Sequence, residues 1–178
     1  MDKNYILEAI KKFRLIDDPL FNVVMSNSLE CVELLLQIIL NEETLKVEKV
    51  HTQYTVPNVI SHGVRFDVLA ASNGKIYDIE VQRDDSGAIP RRARYNSSML
   101  DVNSLHSGKK YSELPESYVI FITEHDVLHR QKPIYHINRK IEETGENFHD
   151  GSHIIYVNAE NRDDTALGRL SPSRFDRQ

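Results

Sequence analysis

The stretch FDVLAASNGKIYDIEVQ, residues 66–82, decides the fold. Its centre, Asn73-Gly74, is the dipeptide most typical of a two-residue hairpin turn, so a strand is predicted on each side of it. Because side chains alternate between the two faces of a strand, this register places only apolar side chains on one face, which is predicted to cover the core. The apolar cross-strand pairs are Phe66 with Val81, Val68 with Ile79 and Ala70 with Tyr77.

The opposite face of this hairpin is acidic. The same register sets Asp67 directly against Glu80 and places Asp78 nearby, while Arg65 faces Gln82. Like charges that face each other across two strands are destabilising, and burial strengthens the repulsion because it reduces screening. Another interaction must therefore compensate the two acids.

Three kinds of compensation are open at this point. The two carboxyl groups could share a proton, Arg65 could lie alongside them, or a divalent cation could bind oxygens from both. Mg²⁺ prefers oxygen ligands and is typically held by one or two carboxylates while it keeps several waters. The third solution therefore also supplies chemistry.

The rest of the chain indicates an α/β fold. The order of predicted elements is helix, three strands, helix and strand, and continuous apolar runs indicate strands covered on both faces. The predicted helices are one through Ile6, Ile10 and Phe13 that ends at Asp17-Asp18-Pro19, one capped by Asn27 or Ser28 that continues to Leu40, and one at 89–105; the further strands are 46–56, 118–122, 154–157 and a weaker one at 134–137.

Composition places few other limits on the chain. Its 178 residues, 40% of them hydrophobic, suit one globular domain, and no linker or repeat divides them. The absence of a long apolar run or a signal-like N-terminus predicts a cytoplasmic protein without membrane contact. Cys31 is the only cysteine, so no internal disulfide can form. A net charge of −5 argues against nonspecific coating of nucleic acid but allows a local basic patch.

Several motifs together resemble one nuclease family. Asp67 precedes Glu80-Val81-Gln82 by twelve intervening residues, upstream DDPLFNVVMSN contains Asp-x-x-Phe, and downstream RRARYNSSML and SGKKYSEL contain Arg-x-x-Tyr and Gly-x-x-Tyr. The combination resembles the PD-(D/E)XK nuclease superfamily and, more narrowly, its Rpn/YhgA-like transposase and recombination-promoting nuclease group. The resemblance implies a single nuclease-like domain over residues 1–170, followed by a disordered or truncated tail at 171–178.

The resemblance implies a restriction-endonuclease-like αβββαβ core, with a central mixed sheet flanked by helices. It also implies that Asp67, Glu80 and the Val81 carbonyl bind Mg²⁺, for which Mn²⁺ can substitute, and that Gln82 helps to orient the attacking water. Gln82 stands where the superfamily usually has lysine. An amide donates and accepts hydrogen bonds but carries no charge.

A basic stripe is predicted on the helix that follows the hairpin. Arg91, Arg94 and Tyr95 fall on one side of this helix, where they could bind phosphate or stack on a base. Arg65 could supply positive charge near Gln82, or could form an ion pair with Asp67 or Glu80. A solvated helix face is the ordinary alternative for the stripe.

Two functions remain open from the sequence. The leading hypothesis is a Mg²⁺-dependent endodeoxyribonuclease, with DNA as its partner and a homodimer as a possible assembly. The alternative is a catalytically impaired or remnant nuclease fold that binds nucleic acid or protein. Chains of this group normally continue beyond the ALGRL-like segment, so the resemblance leaves open that the sequence is a truncated, frameshifted or remnant copy.

Overall fold

The computed structural model describes residues 18–57 and 62–160, which form a six-stranded sheet with helices on both faces. Two short 3₁₀ turns, Asp85–Ala88 and Tyr111–Glu113, lie before and after the third helix in the chain. The helices are α1 (Asp18–Asn27), α2 (Leu29–Leu40) and α3 (Pro90–Ser104); the strands are β1 (Lys49–Val56), β2 (Val64–Ser72), β3 (Lys75–Gln82), β4 (Ser117–Thr123), β5 (Ile134–Ile137) and β6 (Ser152–Asn158).

The sheet is mixed, with strand order β1-β2-β3-β4-β6-β5. Strands β1, β2 and β3 are antiparallel neighbours, β3, β4 and β6 run parallel, and β5 returns antiparallel to β6. The buried apolar residues of β4 and β6 match the continuous runs expected of parallel strands covered on both faces. The predicted α/β class with a central mixed sheet is confirmed.

The predicted hairpin register is confirmed from the turn as far as Val68, which pairs with Ile79. Asn73 and Gly74 both have positive φ, 51° and 72°, as a tight hairpin turn of this kind requires. The prediction was wrong for Phe66. It is not paired with β3 and packs on the α3 side of the sheet, whereas Val68 packs on the side of α1 and α2.

The helices largely follow the sequence signals. The Ser28 side chain accepts a hydrogen bond from the Cys31 N–H at the start of α2, as a capping serine should. The helix predicted at 89–105 is α3, and the strand predicted from residue 46 begins at Lys49. Where the sequence predicted a break, α1 begins at Asp18. The helix predicted through Ile6 and the tail at 171–178 lie outside the described residues.

Two apolar clusters lie on opposite faces of the sheet, one under α1 and α2 and the other under α3. No helix in the described ranges is long and apolar enough to cross a membrane. The α3 side of the sheet also buries a set of polar groups. These groups include Asp78, Glu80, Asn96 and Ser97.

Candidate active site

The sheet is irregular on both sides of Asp67. Strands β1 and β2 pair up to Thr52 and Val68 and resume beyond Gln53 and Asp67, so these two residues are left out of the ladder. Gln53 has a φ of 52°, in the left-handed region that is uncommon for residues other than glycine. On the other side, the β2–β3 ladder ends at Val68. The backbone of Asp67 is therefore released from regular pairing with both neighbouring strands.

The backbone groups near this break bind carboxylates instead. The Asp67 N–H donates to Glu80 Oε1 at 3.3 Å, and the Val81 N–H donates to Asp67 Oδ2 at 3.3 Å. Each acid thus accepts a hydrogen bond from the backbone of the other strand. The structure brings Asp67 and Glu80 together at the predicted place, although through side chain to backbone contacts rather than a regular cross-strand pair.

A side-chain amide also holds Asp67. Gln53 Nε2 donates to Asp67 Oδ1 at 3.3 Å and to Asn22 Oδ1 of α1 at 2.8 Å. The residue that makes both contacts, Gln53, is also the one whose backbone takes the left-handed conformation. No residue pattern in the sequence indicated Gln53, because its role depends on how β1 lies beside Asp67.

Glu80 is fully buried, with 0% of its side chain exposed, and Arg92 of α3 compensates its charge. Arg92 Nη2 donates to Glu80 Oε2 at 2.7 Å, and Gln82 Nε2 lies 3.4 Å from the same oxygen. Burial and then the charge of Asp67 raise the pKa of Glu80 to about 7, although Arg92 acts to lower it. Removal of Arg92 would therefore leave a buried charge next to another acid.

Asp78 adds a third acid to the same patch. Asn96 Nδ2 donates to Asp78 Oδ2 at 3.0 Å, while Asp78 Oδ1 is buried with no hydrogen-bond partner in the described part of the chain. Burial, followed by the charge of Glu80, raises the pKa of Asp78 well above its usual range. Three acids therefore interact with one another here, and Arg92 pairs with one of them, Glu80.

Gly87 allows the remaining contacts of this cluster. Its carbonyl accepts a hydrogen bond from Arg92 Nη1 at 2.8 Å, and a Cβ at this residue would lie 2.1 Å from Gln82 Oε1. Only glycine leaves the Gln82 amide where it is. The guanidinium of Arg92 also lies 5.8 Å from the centre of the Phe121 ring, close enough for a cation–π contact.

Arg92 was not among the predicted site residues, although its spacing along the helix indicates its position. Arg92, Asn96 and Leu100 recur at four-residue spacing, so they share the side of α3 that packs on the sheet. The predicted stripe of Arg91, Arg94 and Tyr95 lies on the exposed side of the same helix. The Tyr95 hydroxyl donates to the His62 carbonyl, which ties α3 to the segment before β2.

Arg65 does not lie where the register placed it. It is exposed and pairs with Thr55 of β1, and because the β2–β3 ladder has already ended at Val68, the predicted pair with Gln82 does not form. The ion pair with Glu80 that was open for Arg65 is made by Arg92. Arg65 precedes Val68, so it lies beyond the end of the β2–β3 ladder. This is the physical reason why Arg65 does not pair with Gln82.

The oxygen donors at this site fit a hard divalent cation. Among residues 18–57 and 62–160, no three His, Cys, Asp or Glu side chains are arranged to hold a metal ion. Mg²⁺, however, commonly needs only one or two carboxylates besides water and other oxygens. Asp67 and the buried Glu80 supply such a pair, and the raised pKa of Glu80 marks negative charge that a cation would offset.

The mixed sheet and the acidic hairpin define an α/β protein of the PD-(D/E)XK nuclease type, with a restriction-endonuclease-like fold. A family model described as PD-(D/E)XK nuclease family transposase matches residues 25–166. The chain belongs to this family. No curated protein and no solved structure matched the chain.

Proposed function

We propose that the protein is a metal-dependent endonuclease that hydrolyses DNA phosphodiester bonds. In this proposal Asp67, Glu80 and the Val81 carbonyl hold Mg²⁺, and Mn²⁺ can replace it. The observation that carries the proposal is the convergence of Asp67 and Glu80, each of which accepts a hydrogen bond from the backbone of the other strand. Membership of a nuclease family supports the same class of activity and implies a nucleic-acid substrate.

Bound Mg²⁺ would supply an aligned water nucleophile and positive charge for the developing phosphorane. The protein's own groups prepare the site. Glu80 must lose its proton to act as a ligand, and burial raises its pKa to about 7, so cation binding should strengthen as the pH rises. The Gln82 amide lies beside Glu80, where it can donate a hydrogen bond to a water or accept one.

Substrate phosphates would bind to cationic side chains around the two acids. Arg91, Arg94 and Arg65 are exposed, and a guanidinium can hold two phosphate oxygens at once. Tyr95, partly exposed on the same helix, is proposed to contact the substrate. Preference for DNA over RNA, a role in transposition or recombination, action as a homodimer and a cytoplasmic location also belong to this proposal.

Plasmid nicking tests the proposed nuclease. Supercoiled plasmid would be incubated with the wild type, with Asp67→Ala and with Glu146→Ala. The last variant is the control, because it removes an exposed acid from the loop between β5 and β6. Mg²⁺ and Mn²⁺ should support nicking by the wild type and by Glu146→Ala, EDTA should stop it, and Asp67→Ala should be inactive in all three. Equal nicking by the wild type and Asp67→Ala would exclude this site.

The second candidate is a binding module that keeps the nuclease fold without hydrolysis. The uncharged Gln82 and the pairing of Glu80 with an internal arginine favour it. Titration with Mn²⁺ distinguishes the two, since a ligand that binds only the native state raises the melting temperature. A wild type that Mn²⁺ does not stabilise, and that binds nucleic acid without cutting it, would support the module.

A further inference from the structure

The charge of Glu80 is compensated from inside the protein. In the described part of the chain Arg92 is the only Lys or Arg that pairs with Glu80, through Nη2 and Oε2 at 2.7 Å. We propose that Arg92 is a built-in counter-ion that competes with the divalent cation for Glu80. The inference rests on the proposed function, because it assumes that a cation binds at Glu80.

A counter-ion is needed because the acids cannot rely on water. Glu80 is fully buried, and Asp67 and Asp78 both lie near it. An unpaired buried carboxylate beside other acids is strongly unfavourable in a surrounding that screens charge poorly. Arg92 therefore compensates the charge of Glu80 when no cation is present.

Competition follows from the way the oxygens of Glu80 are used. Oε1 accepts the Asp67 N–H, and Oε2 accepts from Arg92 and lies near Gln82. A cation that takes Glu80 as a ligand must share or displace one of these contacts. Its charge also repels the guanidinium at short range.

The Arg92 side chain can leave this pair. It is 37% exposed, in contrast to the fully buried Glu80, and its other hydrogen bond goes to the Gly87 carbonyl at the edge of the site. A side chain with access to water can turn outward at modest cost, whereas Glu80 cannot. The exchange of guanidinium for cation therefore needs no change in the sheet.

Thermal melts with increasing Mg²⁺, well above the pKa of Glu80, test the competition. Arg92→Gln should melt at a lower temperature than the wild type without Mg²⁺ and should need about tenfold less Mg²⁺ for half of its thermal shift. Arg92→Lys keeps the charge but loses the fork to Gly87, so both of its values should fall in between. Arg130→Gln, which removes an exposed arginine in the loop after β4, should behave as the wild type does.

The outcomes separate this inference from the proposed function. If the wild type shows no thermal shift with Mg²⁺, both are overturned. If the wild type shows a shift, but Arg92→Gln needs the same or a higher Mg²⁺ concentration, only the competition is overturned and Arg92 is a structural residue. Should Arg92→Gln fail to fold, the comparison of Arg92→Lys with the wild type decides in the same way.

Discussion

The two ends of the β2–β3 hairpin differ in regularity although they belong to the same two strands. At the turn, every residue from Val68 to Ser72 has a partner in β3, and Asn73-Gly74 closes the loop. At the other end, the ladder stops, Gln53 and Asp67 lie outside the regular β1–β2 register, and backbone N–H groups donate to carboxylates instead of carbonyls. The chain is regular where it builds the sheet and irregular where it brings acids together.

This difference shows what the acidic end costs the fold. A left-handed glutamine, broken ladder pairs and a buried carboxylate are each unfavourable for stability. They persist because Arg92, Gln53 and the backbone groups compensate them locally. Changes at the acidic end should therefore affect activity more than stability, and changes at the turn should do the reverse.

Among the changes at the acidic end, Glu80→Gln should reduce activity the most. The amide keeps the shape of the side chain but cannot act as an anionic ligand, so plasmid nicking should fall by about 100-fold or more. Glu116→Gln is the control, because Glu116 pairs with Lys75 beside the turn and lies half exposed. Nicking by Glu80→Gln at the wild-type rate would remove Glu80 from the site.

The same variant should change how stability depends on pH. The folded-state pKa of Glu80, about 7, lies above its ordinary value of 4.5, so between these pH values the folded protein holds a proton that the unfolded chain has released. Stability should therefore fall as pH rises through this window, by up to about 3 kcal/mol from this group. Urea melts of the wild type should show the slope, and Glu80→Gln should lose the part due to Glu80 and keep the part due to Asp78. The charges facing Glu80 are Asp67, Asp78 and Arg92.

Gln53→Gly should separate activity from stability at the acidic end. Glycine relieves the left-handed backbone but removes the amide that contacts Asp67, so stability should change by less than about 1 kcal/mol while nicking falls about tenfold. Gln131→Gly is a matched control, because Gln131 is an exposed glutamine with a φ of 57° in the loop after β4. If both variants cut DNA equally well, Gln53 does not position Asp67.

Gly87→Ala should test whether the position of the Gln82 amide matters for activity. The added methyl group would displace the Gln82 amide, which is the flexible end of a side chain, so stability should change little while nicking falls several-fold. Gln82→Ala should show a similar loss, and the double variant should lose no more than either single variant. Full additivity of the two losses would contradict a shared effect through the Gln82 amide.

Gly74→Ala should have the smallest effect on activity. Its φ of 72° is unfavourable for alanine, although a Cβ there meets no atom, so the variant should lose about 1 kcal/mol of stability. Nicking per folded molecule should stay unchanged, and Gly74→Asn should lose less stability because asparagine tolerates this conformation. A loss of nicking in folded Gly74→Ala would show that the two ends of the hairpin are coupled.

The regular parts of the molecule were predictable because their signals are local. Asn73-Gly74 set the turn and its register, Ser28 marked the start of α2, Pro90 marked the first turn of α3, and continuous apolar runs indicated the parallel strands. The meeting of Asp67 and Glu80 was predicted from the same register, although the ladder ends at Val68 and the two acids meet through side chain to backbone hydrogen bonds. The start of α1 at Asp18 was missed, because the Asp-Asp-Pro sequence was taken only as a break.

The sequence by itself determined the hairpin, the α/β class and the meeting of Asp67 with Glu80, because these depend on turn chemistry and on the alternation of side chains along a strand. Only the tertiary structure decided the left-handed Gln53 beside Asp67, the side of the sheet that Phe66 takes, and the choice of Arg92 over Arg65 as the partner of Glu80. These depend on which distant segments pack together. A buried carboxylate pairs with the cation that packing brings within reach; spacing along α3 shows that Arg92 faces the sheet, but not which acid it meets.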